Sequence, residues 1–207
     1  MRSSTVILAA GDFPKKNGAA WKILAAAKRV VACDSAADAY RRNFHKWPDV
    51  IIGDFDSVSR LSSRVLRPSS LIRISDQDTN DLEKAMAYCA KQGWRKPVVV
   101  GATGKREDHT LGNVFRALAC GCEIVTDHGR FIPVRGKATF TVAKGAAVSI
   151  FAPDPRTRMT SKGLEWPLDD VKFRNLYCAT LNRATGKRVT LMATRQVSVF
   201  IEERKVK

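Results

Sequence analysis

Asp54 and Asp56 stand on either side of one aromatic residue at the end of an apolar run, in the stretch Asp49-Val50-Ile51-Ile52-Gly53-Asp54-Phe55-Asp56-Ser57. Residues two apart in an extended chain project to the same face, so both carboxylates leave the strand end together. Aligned carboxylates repel unless a cation lies between them, and Mg2+ is a hard ion that takes carboxylates together with phosphate oxygens. Alone, the pair also reads as a solvated turn. A second acidic stretch is Asp76-Gln77-Asp78-Thr79-Asn80-Asp81-Leu82-Glu83-Lys84-Ala85. Spaced by three, Asp78, Asp81 and Lys84 line one side of a helix's first turns. Acids there also complement the helix dipole, which by itself accounts for Asp78 or Asp81. A third stretch, Gly101-Ala102-Thr103-Gly104-Lys105-Arg106-Glu107-Asp108-His109-Thr110-Leu111-Gly112-Asn113, joins glycines that let backbone approach an anion to Lys105 and Arg106, which bring charge for phosphate. Its spacing is neither that of a P-loop nor GxGxxG. Asp108 and His109 have the makings of an acid/base pair, and His109 equally suits a supporting role.

These residues need elements to hold them. Apolar strands are expected at 4–10, 29–34, 49–52, 71–74, 97–101 and 122–126, alternating with helices at 18–28, 35–43, 81–92 and 109–119. In the third helix Leu82, Ala85, Met86 and Cys89 share one face, Asp78 or Thr79 is the expected cap, and Gly93 the stop. Alternation of this kind predicts an α/β N-terminal domain with a mainly parallel, Rossmann-like sheet, whose ligands gather at the carboxyl ends of the strands. Asp34, the Asp54/Asp56 pair, Gln77 with Asp78, and the 101–108 stretch each follow such a strand. From His128 the helical period disappears. Short alternating strands at 130–134, 138–142, 147–152, 176–181, 188–193 and 197–202 predict an all-β sandwich C-terminal domain, giving domains 1–127 and 128–207.

The chain of 207 residues carries a formal net charge of +16. From His128 onward there are 16 Lys and Arg against 6 Asp and Glu, and before it 20 against 14. The cations are dispersed, with no block of five or six and no interleaved aromatics to stack bases. The excess therefore reads as a solvated surface that steers an anionic ligand, and a nucleic-acid partner is not expected. No run approaches the length of a membrane helix, and the short apolar start is not a signal-peptide core, so a cytoplasmic protein with no membrane partner is expected. Five scattered cysteines without a CxxC pair read as reduced thiols.

The ordered set Asp34, Gly-Asp-Phe-Asp-Ser (53–57), Asp-Gln-Asp-x-x-Asp-x-Glu-Lys-Ala (76–85) and Gly-x-x-Gly-x-Arg-x-Asp-His-x-x-x-Asn (101–113) resembles the thiamine pyrophosphokinase family. So does Thr160-Ser161-Lys162-Gly163-Leu164-Glu165-Trp166-Pro167-Leu168, which is similar to a Gly-Leu-x-Trp-x-Leu segment of the family's sandwich domain. The resemblance covers nearly the whole chain. It implies ATP-dependent transfer of a diphosphate to the hydroxyl of thiamine, giving thiamine diphosphate and AMP. It also implies a homodimer with clefts between the nucleotide-binding α/β domain of one subunit and the thiamine-binding sandwich of the other.

Carried over residue by residue, the resemblance makes Asp54, Asp56 and Asp78 the Mg2+ ligands, with Asp81 and Arg106 beside them in catalysis. Asp34, Gln77, Lys84, Gly101, Gly104, Lys105, Arg106, Asp108, His109 and Asn113 are the expected nucleotide set. Gln77, Ser161, Leu164, Trp166 and Asn182 are the expected thiamine set. An aromatic face suits both the flat pyrimidine and the cationic thiazolium of thiamine. The chain departs from the family pattern at Ser35-Ala36, where Gly-Gly is common, at Lys105 for a glycine, and at Leu181 for a serine. Phosphate machinery does not read the acceptor, so transfer to another alcohol such as a hydroxymethylpterin is the alternative reaction. A basic nucleic-acid-binding module is the alternative of another class.

Overall fold

The computed structural model describes residues 5–53, 70–74 and 79–203. The chain divides into two compact units, Met1–Asp127 and His128–Lys207.

In the first unit, six short strands among the described residues pair in parallel. They are β1 (Thr5–Leu8), β2 (Arg29–Cys33), β3 (Val50–Gly53), β4 (Ser70–Arg73), β5 (Val98–Val100) and β6 (Glu123–Val125). Pairing gives the spatial order β6-β5-β1-β2-β3-β4. Among the described residues four helices lie between them: α1 (Ala19–Ala25), α2 (Ala36–Phe44), α3 (Asp81–Lys91) and α4 (Glu107–Ala119). Val6–Leu8, Val30–Cys33, Val50–Ile52 and Val98–Val100 are apolar without interruption because both faces are covered, as a parallel sheet requires. Val6, Leu8, Val30, Ala32, Ile51, Val98 and Val100 pack with Ala20, Leu24, Ala37 and Tyr40 of α1 and α2. The alternate positions, Ile7, Val31, Ile52, Val99 and Ile124, are also fully buried. Strand order reverses between β1 and β5, and such a switch point leaves a crevice outside the carboxyl ends of the two strands.

The second unit is antiparallel throughout. Its strands are β7 (Gly129–Thr141), β8 (Ala147–Phe151), β9 (Arg158–Lys162), β10 (Val171–Lys172), β11 (Ala179–Arg183) and β12 (Arg188–Glu202). Along its length β12 pairs with β7, and the register breaks between Ala193 and Val197. The first half of β12 also pairs with β9, and the second half with β8. The remaining pairs are β9 with β10 and β8 with β11. One core, including Ile150, Met159, Phe173, Leu191, Val197 and Val199, fills this unit.

Two pairs of expected strands, 130–134 with 138–142 and 188–193 with 197–202, are each one long strand. Gly136, at φ +76°, lies at the register break and lets β7 continue through it. β9 and β10 have no counterpart among the expected strands. In β9 only Met159 is buried, so its sequence lacks an apolar alternation. The strand expected at 176–181 begins instead at Ala179, after a turn.

Candidate functional site

A cavity of about 300 Å3 opens where the strand order reverses in the first unit. The chain leaving β1 (Ala9, Ala10, Gly11) and the chain leaving β5 (Ala102 to Lys105) form one side of it, joined backbone to backbone. Gly11 N–H donates to Gly101 O at 2.7 Å and Asp12 N–H to Thr103 O at 2.8 Å. Gly104 sits at φ +79°, and a Cβ there would run into the Asp12 carboxylate, so the turn takes glycine for two reasons. Lys105 follows it, also left-handed at φ +59°, and its Nζ donates to Ala10 O at 2.7 Å. The cation thus spans the two segments at the rim.

The N-termini of α3 and α4 make the other side. Asn80 caps α3, its Oδ1 accepting from Glu83 N–H at 2.9 Å. This places the cap one residue later than Thr79 and two later than Asp78, the expected caps. Three cap-competent residues in a row leave sequence unable to choose. Asp81 follows in the cavity wall, and Lys84, buried one turn on, holds its Nζ 3.5 Å from Asp81 Oδ1. The amine therefore braces the acid from behind, and the i, i+3 spacing on the helix brings the two together.

At the start of α4, Arg106 grips Asp108 in two hydrogen bonds, Nε to Oδ1 at 3.1 Å and Nη2 to Oδ2 at 2.6 Å. That pairing, helped by the His109 backbone, holds the Asp108 carboxyl down at about 2. The guanidinium is raised in turn by the same bond. Both side chains are well exposed, and a solvent-screened pair of this kind is weak enough for phosphate to displace the carboxylate from Arg106. Arg106 and His109 line the cavity, and Asn113 lies deeper, its Nδ2 donating to Ala102 O at 2.9 Å.

Of the expected nucleotide residues, Gly104, Lys105, Arg106, His109 and Asn113 converge on this cavity together with Asp81. Gly101 and Asp108 stand directly beside that wall through the bonds just described. Asp34 is buried at the end of β2 at φ +36°, against Gly53, and is not part of the lining. Lys84 is not part of it either. Asp54, Asp56, Gln77 and Asp78 lie outside the described residues. Sequence reading missed Ala9–Gly11, Asn80 and Cys33 as wall residues. Gly11 just after an apolar strand was the signal available for the first group. The Cys33 thiol, buried in the wall, is pushed far up by desolvation and is no nucleophile. Among the described residues no three acidic, His or Cys side chains cluster as a ready metal site.

In the second unit, Ser161 of β9 and Asn182 of β11 brace the loop that carries Leu164 and Trp166. Ser161 N–H donates to Leu168 O and Leu168 N–H to Ser161 Oγ, each at 2.8 Å. The Asn182 carboxamide brackets Trp166, accepting from its N–H at 3.2 Å and donating to its carbonyl at 2.7 Å. Leu164 is in the core and Asn182 is 3% exposed, whereas Trp166 is 54% exposed. Of these four side chains, the indole is the one most open to solvent. Leu181, also exposed, is left-handed at φ +61° in the bulge of β11.

Comparison with known proteins gives one family. The model described as thiamin pyrophosphokinase, catalytic domain, matches residues 20–125, and that described as thiamin pyrophosphokinase, substrate-binding domain, matches 129–200. Thiamin pyrophosphokinase 1 of Caenorhabditis elegans is 33% identical over 96 residues, a stretch covering 42% of this chain and 39% of the worm protein. A thiamin pyrophosphokinase family protein from Enterococcus faecalis is 16% identical, with a TM-score of 0.79 over 99% of this chain and 100% of that one. Thiamin pyrophosphokinase from Candida albicans is 15% identical, with a TM-score of 0.79 over 97% and 90% of the two chains. At such identities the two solved structures speak for the fold, and the domain models, tiling this chain in order, speak for the family. The chain belongs to the thiamin pyrophosphokinase family.

Proposed function

We propose that the protein transfers the terminal diphosphate of ATP to the hydroxyl of thiamine, releasing AMP. The observation that carries this reading is the cavity at the β1/β5 switch point. It has glycine-rich backbone and Lys105 on one side and Asp81 and Arg106, at the starts of two helices, on the other, the three charged residues lying within the segment matched by the catalytic-domain model. In the reaction the thiamine oxygen attacks the β-phosphorus in line, an O–P bond forms, the bond from the β-phosphorus to the bridging α,β oxygen breaks, and AMP departs. Little covalent help is required; positioning and charge neutralisation dominate. Arg106 exchanges Asp108 for phosphate oxygens, the 101–104 backbone sets the height of the chain of phosphates, and Lys105 closes the rim. A carboxylate accepts the hydroxyl proton.

The donor chemistry fits a hard divalent ion. Asp81 already faces the cavity, and Asp54, Asp56 and Asp78 are the further carboxylates that would hold Mg2+. When bound, that ion supplies charge neutralisation on the phosphates. Trp166 is the surface for the acceptor, stacking on its pyrimidine or thiazolium ring. The match of a thiamine-specific substrate-binding model to 129–200 favours thiamine over a hydroxymethylpterin. In the same reading the first domain is a nucleotide-binding α/β layer, the second a sandwich that binds thiamine, and the protein a homodimer. Its setting is the cytoplasm; among the described residues no helix is long and apolar enough to cross a membrane.

The test is incubation with Mg·ATP and a panel of alcohols, reading nucleotides by chromatography. Thiamine yields AMP and thiamine diphosphate in equal amounts. Formation of ADP, or AMP release favoured by another alcohol, overturns the reading.

A further inference from the structure

A relay of side-chain amides ties the two helices of the cavity to the β5 turn, and its polarity is settled from both ends. The Ala102 carbonyl only accepts, so Asn113 must turn its Nδ2 toward it, at 2.9 Å. That leaves Asn113 Oδ1 to accept from Asn80 Nδ2 at 3.2 Å. At the other end, Glu83 N–H only donates, and Asn80 Oδ1 receives it at 2.9 Å. Amide orientation is ordinarily ambiguous; here each carboxamide has one arrangement that satisfies its neighbours. Asn113 is 9% exposed, so a broken link would leave polar atoms without water to replace it. Toward solvent the same helices are joined by Arg116 Nε and Glu83 Oε2 at 2.7 Å, an ion pair whose partners are each 40% exposed and which is weak alone.

We propose that Asn80 and Asn113 are positioning residues for the nucleotide site, a role that rests on reading this cavity as that site. Asn80 is bonded through the chain to Asp81, and Asn113 lies on the helix that begins at Arg106. The relay therefore sets the spacing of Asp81 at the start of α3, Arg106 at the start of α4 and the turn of Gly104 and Lys105 after β5. Neither amide needs to touch the nucleotide. Small errors in such a spacing are costly, because phosphate contacts are made only at the correct distance.

Asn80→Ser tests this cleanly, since serine caps a helix as well as asparagine but its hydroxyl, on a shorter side chain, does not reach Asn113 from the cap. Asn80→Thr repeats the test with a second capping residue, and Asn113→Leu removes the far half without adding charge. Mg·ATP affinity is measured by calorimetry, thiamine KM by initial rates and Tm by scanning. Asn80→Ser is expected to weaken Mg·ATP binding about tenfold while leaving thiamine KM within about twofold. The double variant with Asn113→Leu should bind no worse than Asn113→Leu alone, because one relay is broken once. Unchanged ATP affinity in both capping variants, additive losses in the double variant, or equal losses for both substrates with a collapsed Tm would overturn the proposal. A wild-type chain that binds no Mg·ATP overturns it as well. One that binds Mg·ATP without making thiamine diphosphate overturns the proposed reaction and leaves the relay to be judged on affinity.

Discussion

The two units present their candidate binding groups in opposite ways. In the parallel unit, the groups come from four separate segments that meet at a cavity: the ends of β1 and β5 and the starts of α3 and α4. Arg106 among them is exposed and held by an exchangeable pair with Asp108. In the antiparallel unit, one loop displays one large aromatic side chain, and the buried Asn182 carboxamide beside it is committed to holding that loop's backbone. The difference follows from the ligands proposed. Phosphates are recognised by many donors and cations arranged in space, whereas a flat cationic ring is recognised by a face. If so, damage to the first unit should appear in ATP parameters and damage to the second in thiamine parameters.

The largest expected separation comes from Arg106→Ala. Loss of a guanidinium that meets developing phosphate charge should lower kcat/KM for ATP by about 10²- to 10³-fold, with thiamine KM unchanged, as read by initial-rate kinetics. A matched change in both substrates would erase the contrast.

Glycine substitutions compare the rigidity of the two regions. In Gly163→Ala the new Cβ meets the Arg188 backbone carbonyl at φ +86°, and a β12 carbonyl cannot step aside. A loss of about 3 kcal/mol is expected in urea unfolding. In Gly104→Ala the closest obstruction is the Asp12 carboxylate, which can rotate away while the Asp12 Cβ stays in tight contact, so about 1–2 kcal/mol is expected, mostly for the left-handed backbone. Equal losses would show that the turn after β5 is as fixed as the Trp166 loop.

Trp166→Ala should raise thiamine KM about tenfold, equivalent to roughly 1–2 kcal/mol of stacking and cation–π attraction. Because the indole is 54% exposed, Tm should hardly move. A large fall in Tm would instead assign Trp166 to the core.

The smallest effect is electrostatic. Asp108 titrates at about 2 because Arg106 bonds to it. A carboxyl depressed on folding contributes stability above its unfolded pKa of about 4, and that contribution is lost as pH falls toward about 2. For so exposed a pair the change in stability is slight, so carboxyl NMR titration is the appropriate readout. In Arg106→Ala the midpoint should climb back toward about 4. A midpoint that stays near 2 would show that Arg106 is not its cause.

How much of this was legible in sequence differs between the regions for the same physical reason. Val6-Ile7-Leu8 and Val98-Val99-Val100 are apolar without interruption because a parallel strand is covered on both faces, and they read plainly. The meeting of Gly11 with Gly101 did not, since it depends on β1 lying beside β5, which no local pattern encodes. Asn80 was passed over for Thr79 or Asp78 because all three suit a cap. In the antiparallel unit β9 was missed because Arg158, Thr160 and Lys162 face water and leave Met159 as a lone apolar residue. Resemblance to the family marked Leu164 and Asn182 as thiamine contacts. Leu164 lies in the core and the Asn182 carboxamide bonds to the Trp166 backbone, contacts that residue type alone does not reveal.

The most direct test of the account follows the β-phosphorus. With ATP labelled there, the purified protein, Mg2+ and thiamine should yield labelled thiamine diphosphate and unlabelled AMP in equal amounts. Label retained in ADP, or released as inorganic phosphate or diphosphate without a thiamine product, would contradict it.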